Sequence, residues 1–302
     1  MRRRGANRRL PRLTPRLLPR LELDPEVFYR EVEPLVDKND GVLVLDDSTV
    51  DKFYAKTIKP VRRHWSGKYK CVVMGVNLIT LVWTDGDRIL PLDYRVYDKP
   101  VDGLSKNDHF RNLVNAAKER GFCPKAVLFD SGYSSLDNLK LVRGCGWIFL
   151  TQLKVNRKVD FNRRGYQAVA DAPIEPTGTI VHLEGFGSIR VFKVVSQDGD
   201  VGYWATNDLM MDELRRFELA EWSWSIEEDH RALKQCGNVE RCQARSSRAQ
   251  RNHIGMAIRA FVRLSWHFYI SGVSWYESKT AIVREAVRAY RSKPLHRIMA
   301  TA

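Results

Sequence analysis

The sequence predicts an α/β fold in which helices flank a mixed sheet. Three observations lead to this prediction. Apolar runs of strand length fill much of the first half of the chain, whereas helical patterns dominate after residue 207. Between these parts, helices and strands alternate over residues 105–153, the order expected of parallel βαβ units. A chain of 302 residues with 44% hydrophobic and 28% charged residues can also bury a full core.

The chain begins with an arginine-rich segment for which no stable fold is predicted. Residues 1–20 contain eight arginines, three prolines and no acidic residue. Such a segment is expected to be disordered on its own, and it lacks the apolar stretch of a secretion signal. Two interpretations stay open: a basic arm that binds nucleic acid, or translated sequence ahead of the true domain.

The first half of the sheet is predicted to start antiparallel. Residues 25–36 suit a short helix, with Asp24 as its N-cap. Residues 41–50 form an apolar run that ends in two aspartates, as in a buried strand with carboxylates at its carboxyl end. Residues 69–83 and 88–96 are predicted to be two further strands, since the turn sequence TDGD joins them.

Alternating helices and strands then predict a parallel half. They are expected at residues 105–120, 126–129, 134–144 and 146–153. Ser105 and Ser134 are the expected N-caps of the two helices. Because ligands bind at the carboxyl ends of parallel strands, Asp130, which follows the strand at 126–129, is a candidate site residue.

The remainder divides into a β-rich part and a helical part. Residues 155–206 predict short strands around turns, interpreted as an insertion separate from the main sheet. Helices are predicted at 209–235, 246–271 and 276–290. The predicted organisation is therefore a disordered start, the first part of the core, a β-rich insertion, and a helical remainder with C-terminal helices, at residues 1–24, 25–154, 155–207 and 208–302.

Three places far apart in the sequence carry carboxylates suited to one site. They are Asp46 with Asp47, Asp130, and Glu227 with Glu228. Clustered carboxylates are typical of two-metal phosphoryl transfer, because Mg²⁺ prefers oxygen ligands. Without a metal ion such a cluster would repel itself, and one acid would take up a proton.

Glu227 is accompanied by basic residues at helical spacing. Glu227, Arg231 and Lys234 share one face of the predicted helix, although a solvated amphipathic helix with ion pairs would show the same pattern. Downstream, Arg245, Arg248 and Arg251 predict a second basic face. This face suits a phosphate backbone, and the alternative is an ordinary solubilising stripe.

Charge and motif content narrow the class of partner. A net charge of +14 favours a polyanion such as nucleic acid, with membrane headgroups as the rival. No apolar run has the roughly 18 to 20 residues of a membrane span. The five cysteines form no CxxC pair, which fits a reducing cytoplasm rather than a disulfide framework or zinc site. The sequence also lacks GxGxxG, Walker and GxSxG motifs.

These carboxylate-bearing segments resemble those of DDE-superfamily transposases of bacterial insertion sequences, which have a ribonuclease H-like core. VLVLDDSTVDK matches the place of the first aspartate, VLFDSGYSS that of the second, and WSIEEDHRALKQ that of the glutamate. A related group carries the signature Tyr, two residues, Arg, three residues, Glu, six residues, Lys. Glu227 and Lys234 match it, whereas Ala220 and Ser223 stand at its Tyr and Arg positions.

The resemblance implies Mg²⁺-dependent cleavage and strand transfer of an insertion-sequence element, with Mn²⁺ as a possible substitute and no nucleotide. It also implies a ribonuclease H-like mixed sheet with a β-rich insertion before the catalytic glutamate helix. Asp46 or Asp47, Asp130 and Glu227 would be the catalytic and metal-binding residues, and Lys234 would contact a phosphate. The implied partners are double-stranded DNA, as transposon ends and target, and a second copy of the chain in the DNA complex.

The implied location is the bacterial cytoplasm, at the nucleoid and not at a membrane. Two alternatives remain. One is a nuclease on the same core, and the other is a truncated or domesticated DNA-binding remnant without catalysis.

Overall fold

A computed structural model describes residues 17–21, 24–53, 55, 57–66 and 71–293. Most of the predicted arginine-rich start, and Tyr69 and Lys70 of a predicted strand, lie outside the described residues.

The described elements follow the predicted order closely. The strands are β1 (Val42–Asp51), β2 (Arg62–Ser66), β3 (Cys71–Thr84), β4 (Ile89–Tyr97), β5 (Val127–Phe129), β6 (Phe149–Leu153), β7 (Lys158–Asp160), β8 (Gln167–Ala168), β9 (Thr179–Leu183), β10 (Gly187–Val195) and β11 (Val201–Thr206). The α-helices that lie wholly within the described ranges are α1 (Pro25–Val32), α2 (Lys99–Asp102), α3 (Lys106–Glu119), α4 (Leu136–Gly144), α5 (Glu213–Ser223), α6 (Ser225–Gln235), α7 (Ser247–Ser271) and α8 (Trp275–Ser292).

The central sheet is mixed, and the predicted mixed sheet flanked by helices is confirmed. Strand β3 lies antiparallel to both β1 and β4. Strands β1, β5 and β6 run parallel to one another, with β5 in the middle. β4 tolerates Pro91 because it pairs with β3 on one side, where a bulge interrupts the register.

The β-rich segment is present but is not separate from the main sheet, so that part of the prediction is wrong. β11 pairs antiparallel with β6, and β10, β9, β7 and β8 continue the same sheet outward. The pairing covers the backbone groups that β6 would otherwise leave exposed at an edge. The insertion is therefore held rigidly to the strand that follows Asp130.

Local signals set several element boundaries. Ser105 and Asp108 form a capping box at the start of α3, as the serine at that position predicts. The N-cap of α4 is Ser135, one residue after the predicted one. The helix predicted over 209–235 is in fact two helices, α5 and α6, joined at Trp224.

Alternation along the strands divides the core between the two faces of the sheet. Leu43 and Leu45 belong to the large cluster that includes Phe110 of α3 and Phe129 of β5. Val42 and Val44 belong to a second cluster, which includes Leu128, Leu219 of α5 and Ile226 of α6. Helices α3 and α4 thus cover one face near β1, and α5 and α6 cover the other.

The described part of the N-terminal segment packs on α7 and is not disordered as predicted. Leu18 is buried against Cys242 and Ala249. The Asn252 side chain donates hydrogen bonds to the carbonyls of Leu18 and Leu21, at 2.6 and 2.7 Å. Among the described helices, none is both long enough and apolar enough to cross a membrane.

Phe110 is the residue on which the α3 face depends, and its truncation should destabilise the fold. Its fully buried ring contacts those of Phe129 and Tyr133, with centroids at 4.9 and 5.6 Å. We expect Phe110→Ala to lower the free energy of unfolding by about 3–5 kcal/mol, measured by chemical denaturation. Phe161→Ala, at an exposed position, is the control. Equal losses for the two variants would contradict this packing.

Candidate catalytic site

One cavity brings together the predicted carboxylates and two of the predicted basic residues. It has a volume of about 1490 Å³ and lies at the carboxyl ends of the parallel strands, against α6. The site residues predicted from sequence that line it are Asp46, Asp47, Asp130, Glu227, Arg231 and Lys234. Segments more than 80 residues apart in the sequence thus meet at one place.

Strand register places Asp46 beside Asp130. The parallel pairing of β1 with β5 ends at Leu45 and Phe129. Asp46 and Asp130 each follow that last pair, on strands whose backbones lie about 4.8 Å apart. β1 itself continues to Asp51, so the two aspartates lie within the strand and not at its end as predicted. They do lie where its parallel pairing ends.

Asp46 faces the helix that carries Glu227. Since side chains alternate along a strand, Asp46 points to the same face as Val44, which packs in the cluster with Ile226 of α6. Its cross-strand partner is Thr80, whose hydroxyl shares a 2.5 Å hydrogen bond with His230 Nε2 of α6.

The carboxyl of Asp46 lacks a compensating cation. Burial first, and then the charges of Asp130, Asp47 and Glu227, raise the pKa of Asp46 well above its usual range. Among the described residues, the backbone of Asp47 donates to it, whereas no side chain does. Burial and the charge of Asp47 also raise the pKa of Asp130. The pair has the electrostatics of a cation site.

Asp47, in contrast, is saturated by protein donors on the opposite face of the sheet. Its Oδ2 accepts from Asn77 Nδ2 at 2.6 Å and from Lys106 Nζ at 2.7 Å, and its Oδ1 accepts from the Tyr133 hydroxyl at 2.8 Å. Burial would raise the pKa of Asp47, but the Lys106 charge and these hydrogen bonds outweigh burial and lower it. Asp47 therefore ties β1 to the start of α3.

Helix α6 presents Glu227, Arg231 and Lys234 to the cavity, as their spacing predicts. The break at Trp224 places Glu227 in the first turn of α6, and Lys234 lies in its last turn. Both placements agree with the helix dipole, which favours acids at the amino end and bases at the carboxyl end. Trp224 is 60% exposed and also lines the cavity.

The cavity is acidic although the chain as a whole is strongly basic. Six carboxylates line it against four lysine and arginine side chains, while the whole chain carries +14. Among the described residues, no three His, Cys, Asp or Glu side chains stand close enough to hold a metal ion as they are placed. The donor set is nevertheless all oxygen, and a divalent cation would offset the excess of acid, so its chemistry fits Mg²⁺.

The second predicted basic face does not line this cavity. Arg245 and Arg248 are exposed near the start of α7. Arg251 is directed toward β4, where it donates to the carbonyl of Val96 at 3.3 Å and lies 3.8 Å from the buried carboxylate of Asp98. The structure thus gives Arg251 structural partners within the fold.

The partners of Asp47 were not identified from sequence. Asn77 and Tyr133 carried no local signal, since each lies within an apolar or turn segment. Lys106 did carry a sequence signal. A cation in the first turn of a helix interacts unfavourably with the helix dipole, so a nearby anion is expected to stabilise it. His64 and Arg63 of β2, a strand that was not predicted, also line the cavity.

Comparison with known families identifies the family of the chain. A family profile described as the transposase DDE domain matches residues 38–263, about three quarters of the chain. The chain belongs to this transposase DDE family. The match spans β1, β5 and α6, the three elements that bring carboxylates to the cavity.

Two solved transposase structures are also similar to the chain. The piggyBac transposase synaptic complex with hairpin DNA is 13% identical with a TM-score of 0.48, over 87% of this chain and 59% of that one. The Drosophila P element transposase strand transfer complex is 12% identical with a TM-score of 0.20, over 52% and 36%. This chain therefore spans less than two thirds of either. No curated protein sequence matches it.

Asp229, on the side of α6 away from the cavity, makes a testable contribution to stability. It is 1% exposed, and neither carboxylate oxygen has a hydrogen-bond partner in the described part of the chain. Burial raises the pKa of Asp229 to about 7. The pKa of an aspartate in the unfolded chain is about 3.9. Between about pH 4 and pH 7 the folded protein therefore binds one proton at Asp229 that the unfolded chain does not bind. The free energy of unfolding should fall as pH rises through that window.

Asp229→Asn should remove this pH dependence, because the amide stays neutral. We expect the melting temperature of the variant, relative to wild type, to be higher at about pH 8 than at about pH 5. The adjacent Glu228→Gln, at an exposed position, is the control and should show no such trend. A difference between Asp229→Asn and wild type that is constant with pH would contradict an unpartnered buried carboxyl.

Proposed function

We propose that this transposase-family chain catalyses Mg²⁺-dependent cleavage and strand transfer of an insertion-sequence element. The observation that carries the proposal is the convergence of Asp46, Asp130 and Glu227 in one cavity. In the proposed reaction, water cuts a DNA strand at the transposon end, and the freed 3′-hydroxyl then attacks target DNA.

Asp46, Asp130 and Glu227 are proposed to hold Mg²⁺, with Mn²⁺ as a substitute, and Asp47 is not. Asp46 is uncompensated and shares a face with α6, whereas Asp47 is already bound to Lys106, Asn77 and Tyr133. When bound, the metal supplies Lewis acidity at the scissile phosphate and neutralises developing negative charge. We expect the three carboxylates to close around it, since they are not preassembled.

The remaining side chains of the cavity are proposed to position DNA. Arg231 and Lys234 lie on the same helix face as Glu227, so their charges can bind phosphate oxygens next to the reacting one. Arg245 and Arg248 are proposed as contacts farther along the backbone. Double-stranded DNA is the proposed partner, as transposon ends and target, bound by two copies of the chain in the bacterial cytoplasm without a nucleotide.

Loss of Asp130 or Glu227 should abolish cleavage without unfolding the protein. The assay is strand cleavage and joining of a plasmid that carries the inverted repeats flanking the gene, in Mg²⁺, Mn²⁺ or EDTA. We expect Asp130→Ala and Glu227→Ala to lose more activity than the roughly 10–100-fold typical of outer-shell changes at metal sites. Glu228→Gln is the matched control, because Glu228 is exposed and does not line the cavity.

The outcome also separates the alternatives. Full cleavage by either alanine variant would overturn the assigned site. Cut DNA that accumulates without joining would indicate a nuclease, and DNA binding without metal-stimulated cleavage by wild type would indicate a non-catalytic remnant.

The neighbouring aspartates provide a matched pair that tests their different roles. Asp46→Asn should abolish the stabilisation by Mg²⁺ or Mn²⁺ seen in thermal unfolding, because it removes a ligand. Asp47→Asn should retain metal binding but lower the free energy of unfolding by about 1–3 kcal/mol, because Lys106 and Tyr133 lose a charged partner. The assignment is wrong if metal binding survives in Asp46→Asn and disappears in Asp47→Asn.

A further inference from the structure

A second cavity, of about 620 Å³, adjoins the catalytic one. Gly132, in the loop after Asp130, lines both cavities. At the start of α3, Lys106 lines the catalytic cavity and the next residue, Asn107, lines the second. The two cavities are therefore neighbours along a single edge of the protein.

This edge is defined by the parallel strands. β1, β5 and β6 run in the same direction, so their carboxyl ends lie along one side of the sheet. The catalytic cavity lies at the ends of β1 and β5, and the second cavity is lined by the loops that follow β5 and β6. A strand of DNA with its scissile phosphate between Asp46 and Asp130 could continue across Gly132 into the second cavity.

The charge of the second cavity is opposite to that of the first. Lys154, Arg157 and Lys158 line it, with Glu184 as its carboxylate. The three cations are close together because a turn, closed by a 2.9 Å hydrogen bond from the Arg157 N–H to the Lys154 carbonyl, joins β6 to β7. Lys154 and Lys158 are exposed.

The three cations of this turn share their cavity with one acid, Glu184. None of the three forms a salt bridge with another described residue, and a buried Nη2 of Arg157 has no hydrogen-bond partner among them. Three cations beside one acid leave an excess of positive charge, and a bound anion offsets the repulsion between them. Because the β6–β11 pairing anchors the insertion to the core sheet, the turn is held at a fixed position relative to Asp130.

We propose that the Lys154–Lys158 turn and Asn107 bind backbone phosphates of the DNA strand that flanks the scissile phosphate. The inference rests on the proposed function for the identity of the strand. The acidic cavity then takes the reacting phosphate together with its metal, and the basic cavity takes its neighbours without one. Contacts of this kind contribute affinity and register and do not read base sequence.

The test is DNA affinity in EDTA, measured as a function of salt concentration, so that it does not depend on cleavage. Lys154→Ala/Lys158→Ala removes two exposed cations and leaves the half-buried Arg157 in place. If each lysine contacts one phosphate, the slope of log affinity against log salt should fall in magnitude by about 2, at roughly 0.9 per contact. Lys154→Glu/Lys158→Glu should weaken binding further.

The matched control removes the same charge from the opposite edge of the sheet. Lys118 lies in the last turn of α3, and Lys125 lies before the amino end of β5, so both are remote from the cavity. Both side chains are exposed, and Lys118→Ala/Lys125→Ala should leave the slope near that of wild type. Equal slopes for the two double variants would overturn the proposal.

A series of DNA strands, each with one phosphate replaced by an uncharged methylphosphonate, locates the contact. Wild type should lose affinity at a few adjacent positions, and Lys154→Ala/Lys158→Ala should be insensitive at those same positions. Sensitivity that is unchanged in the variant would overturn the proposal. Wild-type cleavage in Mg²⁺ is scored separately, so an inactive protein that shows the expected slope contradicts the proposed catalysis and leaves the phosphate site standing.

Discussion

The parallel pairing of β1 with β5 is the constraint on which the candidate site depends. Its last pair, Leu45 with Phe129, sets Asp46 and Asp130 side by side at the point where the pairing stops. A slip of one residue would turn Asp46 away from α6 and put Asp47 in its place, because side chains alternate between faces. The apolar residues that precede the aspartates fix the register, since alternate residues of β1 pack in two different hydrophobic clusters.

Because side chains alternate between the two faces of β1, the adjacent residues Asp46 and Asp47 have different environments. Asp47 lies on the α3 face, where Lys106 neutralises it and Tyr133 and Asn77 hold it, so it joins strand to helix. Asp46 lies on the α6 face among other carboxylates, so its charge is destabilised unless a proton or a cation is present. The fully satisfied acid supports the position of the unsatisfied one. An uncompensated carboxylate on a rigid strand suits the proposed metal site.

Much of the fold could be predicted because its signals are local. Apolar runs predicted β1, β3, β4 and β5, the serine at position 105 predicted the start of α3, and helical spacing placed Glu227, Arg231 and Lys234 on one face. These patterns depend on the residues of one segment.

The remaining features depend on contacts between distant segments. Lys106 and Tyr133 meet Asp47 across 59 and 86 residues of sequence, which no local pattern reports. The continuation of the sheet from β6 into β11 is likewise a long-range pairing. The break at Trp224 interrupts a segment with neither proline nor glycine, so sequence alone favoured one continuous helix. The orientation of Arg251 also could not be predicted. Its spacing favours an exposed basic face, whereas in the structure it lies near the buried carboxylate of Asp98.

The distribution of charge suggests an order of events for a polyanionic substrate. At long range, a net charge of +14 favours the approach of any polyanion, including the proposed DNA substrate. At short range, the six carboxylates of the catalytic cavity repel a phosphate until a cation offsets them. The cations after β6 face no such barrier, since Glu184 is the acid beside them. On the proposed function, flanking phosphates are held before the reacting phosphate enters, and entry into the acidic cavity is the step for which a metal ion is proposed.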